Sequence, residues 1–303
     1  MVQAQAQPQG RSRRRNWRMW RDALLLIAPF TLLYLVFFIF PTFRMFQLSF
    51  MDVPLIGGGG EFIGLENYRE LLTDSRFWAS VRHTFYFVLL TVIPNTAVGL
   101  VFALMVVRLH RLRSVVLAAF FLPNMLTVSV VTLVWQWLVN AQFGILQNVF
   151  TLFTAEPLAV FRDPNWAMPM VAFITVWWTV GFNMLLFIAG LQGIGKDYYE
   201  AAALDGATGL QIFRNITWPL LWPITSLVLT LQLIAQLKIF DQVYLLTGGG
   251  PFNSTIVTLQ YMYNEAFQNF NGGYSSTIAV ALFIIILLVS IIFARVLQAG
   301  GSR

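Results

Sequence analysis

The sequence has no cysteine and only two histidines, His83 and His110. The lack of cysteine excludes disulfides and thiolate metal sites. The two histidines fall on opposite sides of the membrane in the topology described below, so they share neither a metal ion nor a catalytic triad. A glycine-rich stretch ending in Lys196 has the spacing of a phosphate-binding loop, but Asp197 stands where serine or threonine should hold magnesium. We therefore expect no catalytic residues, no metal and no cofactor, and a protein that is not an enzyme.

Charged residues are also scarce. They make up 11% of the chain, against 58% hydrophobic residues, and the mean hydropathy is +0.70. A soluble domain has about a quarter charged residues, so this composition indicates an integral membrane protein. Six apolar runs approach or exceed the roughly 20 residues that a spanning helix needs, and they are Ala23–Phe40, Thr84–Val107, Ser114–Leu138, Met168–Leu191, Leu221–Phe240 and Ser275–Leu297. Because the runs are too long for barrel strands and do not alternate, the predicted fold is an all-α polytopic bundle with six transmembrane helices.

Acidic residues are missing from the interiors of these predicted spans. Proton-coupled carriers and ion pumps usually keep an ionisable residue in mid-membrane. Their absence predicts that the energy for transport comes from outside this chain. Among the prolines within spans, two precede an asparagine, Pro94 in the second span and Pro123 in the third. They predict bends around a pathway, with plain helix packing as the alternative.

The basic residues are distributed unevenly around the spans. Thirteen lie in the N-terminal segment, the loop between spans two and three, the loop between spans four and five, and the C-terminal segment, while six lie in the other loops. The positive-inside rule then predicts that both termini and loop 192–220 are cytoplasmic. The net charge of +6 is attributed to this topology and to lipid headgroups rather than to nucleic acid. The predicted division is a disordered basic tail, 1–22, a six-span domain, 23–297, and a C-terminal tail, 298–303.

Loop 192–220 carries the most specific local pattern, Glu200-Ala-Ala-Ala-Leu-Asp-Gly206, followed by Ile216 and Pro219. Asp197 and Glu200 have the spacing of a capping box. They predict a short helix from Tyr198 to about Leu204 that stops at a left-handed glycine. The alanines of this helix would let another backbone approach closely, as a docking element requires.

A second short helix is predicted directly after the first. Thr208 and Gln211 have capping-box spacing at its start. Pro219 is expected to close it, because proline has no backbone N–H to continue the hydrogen-bond ladder.

The E-A-A-x-x-x-G pattern with a trailing I-x-x-P resembles the EAA loop of membrane permeases in binding-protein-dependent ABC importers. Other segments resemble the carbohydrate-uptake branch, the MalF/UgpA type, and these are Phe62-Ile-Gly-Leu-Glu-Asn-Tyr68, Phe143-Gly-Ile-Leu-Gln147 and Phe240-Asp-Gln-Val-Tyr-Leu-Leu-Thr-Gly-Gly-Gly-Pro251. The resemblance spans roughly residues 20 to 297 and implies a type I ABC importer permease architecture. One departure is Trp218, where the family usually has leucine.

The resemblance implies a sugar-transporting permease in the cytoplasmic (inner) membrane of a prokaryote. Its implied partners are a second homologous permease subunit, two copies of a cytoplasmic ATPase, an extracytoplasmic sugar-binding protein and membrane lipid, with no nucleic acid. The resemblance also implies which residues couple the permease to the ATPase, and these are Glu200, Ala201, Ala202, Asp205, Gly206, Ile216 and Pro219. The competing hypothesis is a self-contained channel or facilitator for a small polar solute, in which the loop has only a structural role.

Neutral polar side chains within the spans mark a candidate substrate path. They cost free energy in hydrocarbon unless paired, so they face other helices or a wet cavity. Amides beside aromatic rings suit sugars, since hydroxyls need donors and acceptors while the C–H faces stack on rings. The candidates are Trp178, Asn183, Gln232, Gln236 and Phe240. Gln232 and Gln236 lie one turn apart and can present one polar face, although hydrogen bonding between helices is the alternative role for each residue.

The identity of the sugar stays open at this point. A disaccharide, an oligosaccharide, and a polyol or glycerophosphodiester all fit. The predicted outer loops carry nine carboxylates against six cations, which disfavours an anionic substrate.

Overall fold

A computed structural model describes residues 11–109, 111–146 and 159–301 of the chain. The first ten residues, the last two and His110 of the predictions above lie outside the described residues. Of the two histidines, only His83 therefore has a described position.

The described chain is mainly helical. Its helices are α1 (Arg11–Tyr34), α2 (Phe40–Leu48), α3 (Glu66–Thr73), α4 (Ser75–Val107), α5 (Arg113–Phe121), α6 (Val128–Leu138), α7 (Pro164–Gln192), α8 (Lys196–Leu204), α9 (Gly209–Ile212), α10 (Trp218–Leu237), α11 (Asp241–Leu246), α12 (Thr258–Phe267) and α13 (Gly272–Gly301). Two π-helical segments join α1 to α2 and α9 to α10, and they are Leu35–Ile39 and Phe213–Thr217. Short 3₁₀ segments are Leu122–Met125 and Val160–Arg162. Strands β1 (Met51–Asp52) and β2 (Glu61–Phe62) pair antiparallel, with Met51 opposite Phe62.

Within the described residues, five continuous helical stretches are long and apolar enough to cross a membrane, and they are Trp20–Leu48, Ser75–Val107, Pro164–Gln192, Gly209–Leu237 and Gly272–Leu297. A sixth span is formed by α5 and α6 together, which are bent by 101° at a short break. The prediction of six spans is confirmed when this pair is counted as one. The predicted apolar run Ser114–Leu138 corresponds to this pair, and the break lies directly after Pro123, where a bend is expected.

The bend in the third span follows from its proline. Pro123 lies in the 3₁₀ turn after α5 and supplies no backbone N–H. Leu126 and Thr127 are then extended, with ψ of 146° and 151°, before α6 begins. Pro94, in contrast, lies inside the uninterrupted α4, so of the two predicted proline bends only the one at Pro123 breaks its helix.

Several helices run past the apolar stretches that predicted them. Residues 11–22 belong to α1, so the predicted disordered tail is wrong from Arg11 onward. At the other terminus α13 continues through Gly301, so the predicted tail 298–303 begins as helix. α4 begins at Ser75 because the Asp74 side chain accepts the backbone N–H of Arg76 and caps it. Hydropathy marks only the part of a helix in hydrocarbon, and caps extend it into the interface.

The bundle is built around α4, α7 and α10. Their buried side chains form the core clusters along the whole length of the bundle. Gly99 of α4 lets α7 approach closely, since a Cβ there would lie 3.0 Å from the Asn183 Cβ. The first span differs from the others because none of its apolar window is buried within this chain. It therefore faces lipid or another protein.

The segment after the first span is tied down by side-chain hydrogen bonds. The Asn67 amide of α3 donates to the carbonyls of Ser49 and Met51, at 3.2 and 3.0 Å. The Tyr68 hydroxyl lies 2.7 Å from the Ser49 hydroxyl, and Trp78 donates to the Leu72 carbonyl. The loop thus contains one short helix, α3, and the aromatic side chains Tyr68 and Trp78 are bonded to groups of the same chain.

Candidate functional site

The first helix of loop 192–220 begins earlier than its sequence pattern suggests. α8 starts at Lys196 after Gly195, and no side chain caps it. The predicted capping box of Asp197 and Glu200 is therefore wrong, because Asp197 already lies within the first turn. An acidic residue there is still favourable, since it meets the positive end of the helix dipole.

The end of α8 is as the sequence predicts. Gly206 has a φ of +68°, which side chains with a Cβ rarely adopt. The N–H of Ala207 donates to the Ala202 carbonyl at 2.9 Å, and that of Gly206 to the Ala203 carbonyl at 3.1 Å. This pair of bonds is a Schellman motif, which stops the helix and reverses the chain.

The second half of the loop is capped and then runs on without a break. The Thr208 N–H donates to Gln211 Oε1 at 2.7 Å, and the reciprocal bond from the Gln211 N–H completes the predicted capping box. Pro219 does not close the helix, and that prediction is wrong. The π-helical turn Phe213–Thr217 precedes it and shifts the hydrogen-bond pattern, so the helix continues to Leu237. Loop and span five are consequently one helical stretch.

The loop presents part of its predicted coupling surface to solvent. Of the predicted coupling residues, the exposed ones are Glu200, Ala201, Asp205, Gly206 and Pro219, and two leucines near them are also exposed, Leu204 at 90% and Leu210 at 77%. Ala202, only 8% exposed, packs inward, and Ile216 is half-buried. The expected alanine face is therefore split, since Ala202 holds α8 on its own chain while Ala201 remains available to a partner.

The loop is attached to the spans by few contacts of its own. The Tyr199 hydroxyl lies 3.3 Å from the Thr217 hydroxyl and joins α8 to the π-helical turn. A cavity of about 650 Å³ separates the loop from the end of α4 near Arg108. The spans next to it are tightly packed, since a Cβ at Gly190 of α7 would lie 2.8 Å from Leu221 and Ile224 of α10. The ends of α7 and α10 that adjoin the loop are therefore packed directly against each other.

Three of the predicted path residues, Asn183, Gln232 and Gln236, meet Asn95 in a buried network that we call the amide network. Gln232 is its centre. Its Oε1 accepts from Gln236 at 3.0 Å and from Asn95 at 3.1 Å, and its Nε2 donates to Asn183 Oδ1 at 2.9 Å. All four residues are at most 6% exposed. The network joins α4, α7 and α10, so the alternative role of binding helices together is present in the structure.

The network still has hydrogen-bonding capacity in reserve. Asn95 also donates to the Thr179 hydroxyl at 2.7 Å. Asn95 Oδ1 and Asn183 Nδ2 are buried and have no partner among the described residues. One acceptor and one donor are thus unused, and a hydroxyl group can satisfy either kind. Trp178, another path candidate, has a buried indole N–H that is also unpaired within the described part of the chain.

Phe240, the last path candidate, belongs to an aromatic group rather than to the network. Its ring stacks on Tyr244 at 5.2 Å and lies 5.2 Å from Tyr263, which in turn contacts Phe267 at 4.8 Å between ring centroids. The group lies one turn beyond Gln236, at the end of the bundle away from the coupling loop. It provides ring faces of the kind on which sugars stack.

Sequence reasoning did not place Asn95 on the path. Thr179 connects Asn95 to α7, because its hydroxyl accepts a hydrogen bond from the Asn95 amide. Thr179 lies one turn before Asn183, so the two side chains lie on the same side of α7. Residues 84 positions apart in sequence meet here. No local pattern gives that pairing.

The end of the bundle opposite the coupling loop is held by Asp74. Its carboxylate accepts hydrogen bonds from the hydroxyls of Tyr261 and Tyr274. Burial alone would raise the pKa of Asp74, but these bonds and those from backbone N–H groups outweigh burial and hold the pKa below its ordinary value of 3.8. The charged form of Asp74 thus joins α4, α12 and α13.

Comparisons with known proteins agree with this architecture. Residues 84–300 match the family model described as "Binding-protein-dependent transport system inner membrane component". The sulfoquinovosyl glycerol transport system permease protein SmoG of Agrobacterium fabrum is 32% identical over 290 residues, covering 93% of this chain and 94% of that protein. The trehalose/maltose transport system permease protein MalF of Thermococcus litoralis is 33% identical over 283 residues, covering 93% and 95%.

A solved structure shares the fold. The bacterial ABC transporter involved in the import of the acidic polysaccharide alginate contains a chain with a TM-score of 0.83 at 20% identity, covering 94% of this chain and 99% of that chain. The expected ABC importer permease fold is confirmed. The chain belongs to the family of inner membrane components of binding-protein-dependent transport systems, and it is a multi-pass permease subunit of an ABC importer.

Proposed function

We propose that this permease moves a neutral sugar into the cytoplasm and that a separate ATPase drives it through the coupling loop. The observation that carries the proposal is the continuity of structure between the exposed loop and the amide network. α8 follows α7, and the second half of the loop runs without a break into α10. Both helices carry network residues, Asn183 on α7 and Gln232 on α10.

The ATPase would dock on the exposed part of α8 and the turn that follows. Glu200, Ala201, Asp205 and Gly206 form this surface, with Leu204 projecting from it. Ala202, Ile216 and Pro219 would transmit the motion, since Ala202 and Ile216 face inward and Pro219, although exposed, lies in the first turn of α10. This division assigns contact to the first group and transmission to the second.

A sugar is the substrate class that the path supports best. The amide network carries no charge, and its free acceptor and donor match a hydroxyl group. Trp178 and Phe240 supply ring surface beside it. Two relatives are named for trehalose and maltose and for sulfoquinovosyl glycerol, so a glycoside is consistent with the family's range.

A second permease chain would complete the pathway. The first span leaves its apolar surface uncovered, and α10 leaves Leu227, Leu231 and Ala235 exposed beside the network. An extracytoplasmic binding protein would deliver the sugar at the end where Phe240 lies. The excess of basic residues in loop 192–220 and in both terminal segments supports a cytoplasmic location for them. The rival hypothesis of a self-contained channel has no support in the family assignment.

The test is sugar uptake by the reconstituted complex of both permeases, the ATPase and the binding protein. The variant Gln236→Leu removes the amide at the edge of the network and breaks only one internal hydrogen bond, the one to Gln232. We expect uptake to fall about tenfold, the effect of one lost hydrogen bond to the moving substrate, while the complex stays assembled. Thr230→Val is the matched control, because Thr230 lies on the same helix and bonds only to its own backbone. Wild-type uptake by an assembled Gln236→Leu complex would contradict the path.

A further inference from the structure

A polar pocket lies at the end of the bundle opposite the coupling loop, away from the amide network. It is formed by the first turns of α4, the loop before α12 and α12 itself, and its volume is about 280 Å³. Residues on its walls include Arg76, Ala79, His83, Asn253, Asn264 and Glu265. His83 lies twelve residues before Asn95 on the same helix, about 18 Å along its axis. We call this cavity the outer pocket.

Glu265 is the most unusual group in the outer pocket. The residue is only 7% exposed, yet no described residue forms a hydrogen bond or an ion pair with its carboxylate. Carboxylates in residues this deeply buried are usually paired within the protein. Since Glu265 lines the pocket, a ligand in the pocket can supply donors to its carboxylate in place of water.

Other groups on the walls also lack partners or have a free side. Asn264 Oδ1 is buried and has no partner among the described residues. The His83 Nδ1 lies 2.9 Å from the Ile256 carbonyl and must donate to it, which leaves Nε2 as the second polar atom of the ring. The amides of Asn253 and Gln268 add donors and acceptors. The occupant therefore has several hydrogen-bonding groups of both kinds.

Tyr261 gives the outer pocket a fixed ring. Its hydroxyl donates to the Asp74 carboxylate, so the polar end of the side chain already has a partner. Tyr261 still lines the pocket. A ring anchored at its hydroxyl offers an apolar surface in a constant position beside the polar groups.

The charges on the walls favour a neutral occupant. Arg76 and Glu265 both line the outer pocket, but no ion pair joins them within the described residues. A cation that approaches Glu265 would be repelled by Arg76, and an anion that approaches Arg76 would be repelled by Glu265. A neutral molecule with many hydroxyls meets neither penalty and supplies donors to the carboxylate.

We propose that the outer pocket is a second carbohydrate site, which takes one sugar ring through the Glu265 carboxylate, the Asn264 amide and the Tyr261 ring. It is separate from the path through the amide network. It rests on the proposed function only for the choice of sugars as ligands. Located at the end where the binding protein would release its cargo, it retains sugar at the permease before or between transport events.

The experiment is saturation-transfer NMR on the full chain assembled with its partner permease, with maltose and trehalose as the probes. Glu265→Gln removes the charge without changing the shape, and Ala79→Phe fills the cavity. Both variants are made in a background of Gln236→Leu. There we expect Glu265→Gln to weaken sugar binding about tenfold and Ala79→Phe to abolish it. Glu66→Gln, an exposed carboxylate at the same end, is the control and should change nothing.

Unchanged sugar signals in Glu265→Gln would overturn the proposal. Loss of all sugar signals in Gln236→Leu alone would also overturn it, because all the bound sugar would then lie in the path through the amide network. Hydrogen exchange of α12 gives the second readout. If the binding protein without sugar protected α12 from exchange and sugar alone did not, the outer pocket would receive a protein segment. That result would also overturn the proposal. The path test uses uptake and Gln236, so either proposal can fail while the other stands.

Discussion

The coupling loop and the amide network, two regions of one pair of helices, are stabilised in opposite ways. The loop is exposed and is shaped by backbone bonds between residues at most five positions apart, as in the Schellman motif at Gly206. The network is buried and is shaped by side chains that come from three helices. The loop can therefore change its surface without disturbing the bundle, whereas the network cannot change one residue without affecting three helices.

The largest effect is expected for Gln232→Leu, which removes the centre of the network. Asn95, Asn183 and Gln236 each lose a hydrogen bond, and leaving buried polar groups unpaired costs about 1–3 kcal/mol each. We expect the free energy of unfolding to fall by about 3 kcal/mol or more, measured by denaturant titration of the purified chain. Thr230→Val should stay within about 0.5 kcal/mol of wild type. Equal stability of the two variants would show that the network does not hold the helices.

The next effect concerns the loop. Gly206→Val places a β-branched residue at a φ of +68°, which costs about 1–2 kcal/mol and redirects the chain after α8. Nothing lies within 4 Å of the added Cβ, so backbone conformation alone is tested. We expect ATP-driven sugar uptake to be lost although the protein inserts normally.

Gly206→Asn is the matched control, because asparagine tolerates the left-handed conformation. It should retain most of the uptake. If valine and asparagine at position 206 gave the same uptake, the left-handed stop would have no part in coupling.

A smaller effect is expected for Glu200→Ala. Because Glu200 does not cap α8, its loss should leave the thermal stability of the isolated chain unchanged. We expect weaker attachment of the ATPase, by up to about 1 kcal/mol for an exposed charge, seen as lower salt resistance in co-purification. A drop in the stability of the isolated chain would restore the capping role that the sequence suggests.

The smallest effect is expected from Asp74 and depends on pH. Its pKa in the folded chain is lower than 3.8, so its charged form stabilises the fold above that pH. This contribution is lost as the pH falls through the lowered pKa. Asp74→Asn should remove this part of the acid sensitivity in thermal unfolding measured between pH 6 and pH 3. Asp52→Asn, an exposed carboxylate at the same end, should behave as wild type, and an identical acid profile for all three proteins would contradict the role of Asp74.

How far the sequence predicts each region depends on the range of its interactions. The stop at Gly206 and the box of Thr208 and Gln211 are local, so their patterns are legible in the sequence and the structure confirms them. The box at Asp197 fails because two residues with the right spacing do not fix where a helix starts. Pro219 fails as a stop because a π-helical turn absorbs its missing donor.

The amide network could be predicted from the sequence only in part. Hydropathy shows that Asn183 and Gln232 lie inside spans, but it cannot show that they meet each other and Asn95. The 101° bend of the third span was only partly predictable, since Pro123 marks it while Pro94 leaves α4 unbroken. Pairing and angle depend on neighbouring helices, which no local pattern encodes.

The link between the two regions is tested most directly by thiol labelling of Ala235→Cys. The chain has no native cysteine, so this thiol is unique, and Ala235 is exposed beside Gln236 on α10. The assembled transporter is treated with a membrane-impermeant reagent from the side of the coupling loop, without nucleotide and with a trapped ATP analogue. Coupling predicts labelling without nucleotide, protection with the analogue, and loss of that protection when Gly206→Val is added. Labelling that is the same in both nucleotide states, or protection that survives Gly206→Val, would contradict it.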